Sequence, residues 1–322
     1  MSTVQTIRGP IDSAALGVTL SHEHMGPGAA GMERIPGLYD ESFVLKADLA
    51  ALAKAKAAGI ESIIDLTPFD LGRQISLFAK IAEADPGVHI VCATGVYRWV
   101  PFYFLGADVD AIAERFAREI QDGIEGTGIR AGIIKLAWDL EYRLDEGGAF
   151  SPRGLLEKTA RAAARAARAT GVPISCHTRA VDRLGEPLLD IFADEGLNLR
   201  AVTIGHTNDS QDLDYITGLA KRGATVGLDR FAQTTDEYVA PRAGIALALA
   251  QAGYAEQTSL GHDAAPLMFL GFTRPPNEDC WLPVPNVQVP WLRAHGATQA
   301  HIDAMQKTSI RATFEAAAAM AG

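Results

Sequence analysis

The sequence predicts one α/β domain, residues 1–322, closed into a (β/α)8 barrel. Eight short, mostly apolar runs alternate with amphipathic stretches whose apolar residues recur at spacings of three and four. Several of those stretches end on a glycine that feeds the next run: Gly59 before Ile60, Gly171 before Val172, Gly223 before Ala224. A left-handed residue that ends a helix and opens a parallel strand makes an economical connection. No linker, composition shift or internal repeat divides the chain. That favours a single TIM barrel over a doubly wound open sheet with an added domain.

In order, strands are expected at Val18–His22, Ile60–Leu66, His89–Val96, Gly132–Ala137, Val172–Cys176, Ala201–Ile204, Thr225–Leu228 and Thr258–Leu260. Each is bounded by Gly, Pro or polar residues, the pattern of strands buried on both faces. Helices are expected over Phe43–Ala58, Asp108–Gly123, Arg153–Thr170, Asp182–Glu195, Asp212–Arg222 and Pro241–Ala252.

Composition narrows the function classes. Apolar residues make up 48% and charged residues 21%, which excludes wholesale disorder. With 29 Lys+Arg against 39 Asp+Glu the net charge is −10, and such a surface repels phosphate backbones and anionic lipid. No nucleic acid or membrane partner is expected. Cys92, Cys176 and Cys280 are odd in number and widely spaced, which reads as packing sulfur in a reducing compartment. The first residues carry no secretory pattern, and no run approaches the roughly 18 apolar residues of a membrane span. A cytoplasmic protein is expected.

In this fold, chemistry belongs at the C-terminal ends of the strands. Strand one ends Ser21-His22-Glu23-His24, and alternation turns His22 and His24 to one side and Glu23 to the other. Strand four carries Lys135 in an otherwise apolar run, where a buried ammonium needs a partner. It is either a salt-bridged lysine or a depressed-pKa amine that takes up carbon dioxide as a carbamate. Strands five and six end at His177 and His206, and strand eight ends His262-Asp263. Five of the eight histidines thus stand at one rim, a placement that points to a metal site. Asp263 is expected to face inward as a ligand and proton acceptor. His262 is expected to pack outward or to bond the rim.

With His22, His24, Lys135, His177, His206 and Asp263 in this order, the sequence resembles the phosphotriesterase family of the amidohydrolase superfamily. It is most similar to the phosphotriesterase-like lactonases, through Ala93–Tyr97, Pro101–Leu105, Ala131–Lys135, Ile204–His206 and Gly227–Arg230. The resemblance implies two divalent metal ions sharing a hydroxide. His22, His24 and Asp263 would hold one and His177 and His206 the other, with carbamylated Lys135 bridging. Zinc is the leading candidate, and cobalt, manganese or iron also suit the ligands. It further implies hydrolytic opening of N-acyl-homoserine lactones, with phosphotriesters and aryl esters as side substrates, and a homodimer. Organophosphate triesters, other lactones, or a non-catalytic metal-binding barrel are the competing readings.

Tyr97 matches a tyrosine that faces the metal pair in lactonases, though a rim aromatic would read the same. Arg230 matches an arginine at the substrate mouth, or else braces Asp229 or another rim acid. Loop seven, from Arg230 towards Pro241, is short, as in lactonases. The apolar stretch 264–291 reads as a lid forming an acyl channel, or as a dimer contact. Arg98-Trp99 stands where more apolar residues are usual in the lactonases, and Gly26–Gly31 reads as a flexible entrance loop.

Overall fold

A parallel barrel is assembled in chain order in the computed structural model, which describes residues 2–26, 28–98, 100–139, 151–267 and 275–321. An antiparallel hairpin, β1 (Thr3–Thr6) with β2 (Gly9–Asp12), precedes the barrel. The barrel strands are β3 (Thr19–Glu23), β4 (Ser62–Asp65), β5 (His89–Val91) continued by β6 (Ala93–Gly95), β7 (Ile133–Trp138), β8 (Ile174–Thr178), β9 (Val202–Gly205), β10 (Thr225–Leu228) and β11 (Thr258–Leu260). Successive strands pair in parallel from β3 to β5 and from β6 to β11. Strand eight returns to strand one: Ser21 Oγ donates to the Leu260 carbonyl at 3.0 Å, and the Asp263 amide to the His22 carbonyl at 3.0 Å.

Strand three, expected unbroken over His89–Val96, changes partner midway. Its ladder to β4 ends at Val91 and its ladder to β7 begins at Ala93, so Cys92 belongs to neither. Inside the barrel lies a small apolar plug of Ile64, Leu66, Val91, Ala93 and Ile133, closed from below by Val4, Leu16, Ile310 and Phe314. The hairpin and the last helix therefore stopper the end opposite the site. Neither role shows in the sequence pattern.

The helices α1 (Glu41–Ala57), α2 (Ile75–Ala84), α3 (Val109–Gln121), α4 (Pro152–Thr170), α5 (Gly185–Asp194), α6 (Leu213–Lys221) and α7 (Asp236–Gln251) form the outer layer. Four of their starts follow capping chemistry. Asp40 accepts from Ser42 and Phe43, Asp108 from Ala111, Ser151 from Gly154, and Asp212 from Tyr215. The helix expected from Asp182 begins only at Gly185, because Arg183 is left-handed, with φ 56°. Pro241 does not open α7 but lies inside it, so loop seven ends at Thr235 and is shorter than expected.

The stretch 264–291 is corrected in part. Trp281 is fully buried and its indole N–H donates to the Ala264 carbonyl at 3.1 Å. Val284–Gln288 is a π-helical turn running into α8 (Val289–Ala294), with Val284, Val289 and Leu292 buried. These residues are outer core, so they do not line a channel as a lid would. Met268, Phe269 and Phe272 of the expected lid, Trp99, and Pro27 of the entrance loop lie outside the described residues. The helices α9 (Gln299–Asp303) and α10 (Ser309–Ala318) complete the chain. No helix among the described residues is long and apolar enough to cross a membrane.

Candidate metal centre

Strand one reaches the rim through a β-bulge. Leu20 pairs with Ile63 but Glu23 with Asp65, so Ser21 and His22 together oppose Ile64. Simple alternation from His22 and His24 would bring Leu20 to the barrel axis. Instead Leu20 joins the outer core and Ser21 borders the barrel interior. Above the bulge His22 and His24 face the axis, while Glu23 points outward. There Glu23 accepts from His262 Nδ1 at 2.6 Å and from the His262 amide at 2.9 Å. His262 Nε2 accepts the Val284 amide at 2.9 Å, so the proton sits on Nδ1. His262 thus bonds the outside of the rim and ties α8's approach to strands one and eight.

Outer hydrogen bonds set which nitrogen each inward histidine offers. Asp229 lies behind two of them: its Oδ2 is 2.6 Å from His22 Nδ1 and its Oδ1 is 2.7 Å from His206 Nδ1. Burial drives the His22 pKa down to about 4 and that of His206 well below its usual value, so both rings are neutral. Burial raises the Asp229 pKa, but His206 and His22 outweigh it and hold the carboxyl well below its ordinary range. Each ring therefore donates Nδ1–H to Asp229 and turns a bare Nε2 inward. His24 Nδ1 lies 2.9 Å from Thr67 Oγ1, whose own hydroxyl reaches Asp65 Oδ2 at 3.2 Å. His24 then also presents Nε2 as a lone pair.

Two of these lone pairs face an acceptor, and the third faces none. Asp263 Oδ1 is 3.1 Å from His24 Nε2 and 3.3 Å from His22 Nε2. His206 Nε2 is buried with no hydrogen-bond partner. Acceptors facing one another in a buried pocket are unfavourable unless a cation lies between them, and this donor set fits one. Among the described residues two groups could hold a metal ion: His22 with His24 and Asp263, and His22 with His206 and Asp229. In the second, Asp229 already accepts from both rings, so it serves better as their outer support.

Lys135 is 1% exposed, and burial lowers its pKa to about 8. Its Nζ sits 3.1 Å from His22 Nε2. The His177 ring lies edge-on to His206, with centroids 4.3 Å apart, and its Nε2 is 3.0 Å from Asp139 Oδ2. The structure thus gathers His22, His24, Lys135, His177, His206 and Asp263 at one mouth. Tyr97 joins them: its hydroxyl is 3.4 Å from His177 Nδ1, and its amide is anchored on Asp70 Oδ1 at 2.7 Å. Arg230 pairs with Asp263 and, through Nε, with Asp209 Oδ2 at 3.1 Å. The rim acids it braces are therefore Asp263 and Asp209, while Asp229 is taken by the histidines.

Sequence reasoning did not assign Asp229, Thr67, Asp65 or Asp139 to the site. Asp139 follows Lys135 and Ala137 at period two, and Asp229 directly follows a barrel strand, rim positions that by themselves do not mark a role.

Two site residues hold strained backbone: His206 at φ 62° and Asp263 at φ 53°. Such conformations cost on the order of 1–3 kcal/mol each and persist where the surroundings impose them. Here Asp229 Oδ1 also takes the His206 amide at 2.8 Å, and the His22 carbonyl takes that of Asp263. Gly95 is required for a different reason. At φ 108°, a Cβ there would stand 2.1 Å from the Lys135 carbonyl oxygen. Gly95→Ala is expected to destabilise the fold by about 3–5 kcal/mol, read by urea unfolding. A variant as stable as the parent would mean that β6 and β7 do not meet this closely.

Known proteins resemble the chain along nearly all of its length. The phosphotriesterase family pattern matches residues 2–314. A phosphotriesterase homology protein of Mycobacterium tuberculosis is 37% identical over 334 aligned positions, covering 98% of each chain. An aryldialkylphosphatase of Saccharolobus solfataricus is 34% identical over 268 positions, 82% of each chain. The solved structure of the phosphotriesterase from Mycobacterium tuberculosis superposes with a TM-score of 0.84 at 35% identity, covering 97% of this chain and 98% of that one. With a rim of histidines on a closed barrel and these likenesses along nearly its full length, the chain belongs to the phosphotriesterase family, hydrolases that act on ester bonds.

Proposed function

We propose that the protein opens lactone rings, N-acyl-homoserine lactones foremost, at a binuclear metal centre, with slower hydrolysis of phosphotriesters and aryl esters. One observation carries this reading: the outer hydrogen bonds leave His22, His24 and His206 with inward lone pairs around buried Lys135, beside Asp263. His22, His24 and Asp263 would hold one ion, and His177 and His206 the other. Lys135, whose neutral amine burial makes more accessible, would add to carbon dioxide and lose a proton, and the resulting anionic carbamate would be a further ligand for the ions. When bound, such ions, zinc foremost, would supply the acidity that generates a hydroxide nucleophile at neutral pH and the charge that polarises a scissile carbonyl.

The chain's own residues do the rest. Asp263 accepts the proton of the attacking oxygen through its carboxylate, which Arg230 holds in place. Tyr97, its pKa raised to about 12 chiefly by burial, stays protonated and donates to the lactone oxygen. Loop seven ends at Thr235, the short loop that a lactone substrate with a tail calls for. The aryldialkylphosphatase relative favours a second reading, in which triesters are the better substrates.

Rigorous chelation is expected to abolish lactone opening, and zinc, cobalt or manganese to restore it. Full activity in metal-free protein would sink the proposal. Against a panel of lactones graded in tail length, turnover should vary with the tail and exceed that of an aryl phosphotriester. A flat profile with faster triester cleavage would favour the second reading.

A further inference from the structure

Behind His177 stand two residues to which the hydrolytic steps above assign no role. Asp139 Oδ2 lies 3.0 Å from His177 Nε2, and Arg98 Nη1 lies 3.4 Å from the same oxygen. The placement follows from the strands. In the β7–β8 ladder Ala137 stands opposite His177, and Asp139 is the next residue of β7's line to share that face. Arg98 follows Tyr97 on the loop leaving β6, the neighbour of β7 on the other side.

A carboxylate can only accept, so His177 carries its hydrogen on Nε2 and keeps Nδ1 as a lone pair. In the metal-free chain the Tyr97 hydroxyl stands 3.4 Å from that lone pair, and an ion taking Nδ1 would leave the phenol hydrogen for the substrate. The other three rings are held the opposite way. His22, His24 and His206 are each bonded from behind at Nδ1 and offer Nε2.

We propose that Asp139, steadied by Arg98, is a positioning residue that selects Nδ1 of His177 as its metal-binding nitrogen. The inference rests on the binuclear reading above but can fail separately from it. Outer carboxylates of this kind fix tautomer and ring orientation, and losing one costs about 10–100-fold in metal affinity.

The test uses the full chain with its histidines labelled with nitrogen-15. In metal-free wild-type protein, two-bond proton–nitrogen spectra should show His177 protonated at Nε2. Asp139→Ala should lose that preference and bind the second metal about 10–100-fold more weakly, as read by chelator competition with zinc. Asp139→Asn, whose amide oxygen still accepts, should keep the tautomer and provides the comparison if the alanine variant does not fold. Arg98→Ala should keep the tautomer but weaken the second metal several-fold, and unchanged affinity there would remove Arg98 from the clamp. A wild-type His177 protonated at Nδ1, or two zinc ions held by Asp139→Ala with undiminished affinity, overturns the proposal. Wild-type protein that binds no zinc overturns the metal reading instead, and leaves the tautomer result standing on its own.

Discussion

Asp229→Ala is expected to yield a protein that retains neither metal after dialysis and is about 3–5 kcal/mol less stable than the parent. The carboxylate is 1% exposed and engages both histidine rings and the His206 amide. Removing it strands two buried ring N–H groups and one backbone N–H in a cavity that solvent does not reach. It also releases His206 from what imposes its left-handed backbone. Gly205 and Gly227 sharpen the point. A Cβ at either would stand 3.0 Å from Asp229 Oδ2, so β9 at Gly205 and β10 at Gly227 are cleared of side chains to admit the carboxylate. Urea unfolding and elemental analysis of the same preparation provide the check. Stability within about 1 kcal/mol of the parent, with both metals retained, would show that the rings are held by packing alone.

What was legible in the sequence follows the strength of each local signal. Strands β10 and β11 match their expected spans residue for residue, because short apolar runs between turn residues admit little else. The rim histidines were visible because their type is rare and their positions coincide with strand ends. Asp229 and Asp139 are aspartates among many, and their role arises only when three-dimensional pairing places them behind rings distant in the chain. The bulge in strand one was hidden for a related reason. Alternation predicts the right face for His22 and His24 whether or not a residue is inserted below them, so the pattern cannot reveal it. The outer-core burial of Trp281 and Val284 was misread as a lid because an irregular apolar stretch looks alike in both settings. His262, with its proton on Nδ1, joins that stretch to the strands, and a long-range contact of this kind leaves no periodicity.

Asp263→Asn should lower lactone turnover by about 10²–10⁴-fold while the fold remains intact. Asparagine is the diagnostic replacement because Asp263 sits at φ 53°, a region that Asn tolerates as Asp does and better than Ala. The substitution keeps the side chain's shape but removes the charge that pairs with Arg230 and the basicity that accepts a proton. It also puts an amide against His22 Nε2 and His24 Nε2, which stand 3.3 and 3.1 Å from Oδ1. If the amide nitrogen turns towards those lone pairs, it competes with a metal for them. Metal content must therefore be measured beside turnover. Loss of turnover with both ions retained assigns the effect to proton transfer, whereas loss of one ion assigns it to ligation. Parent-like turnover with full metal content would remove Asp263 from the reaction. Arg230→Met separates the two contributions further, since it leaves every metal ligand in place. If Arg230 acts only by holding Asp263, its removal should cost less than Asp263→Asn and leave both ions bound.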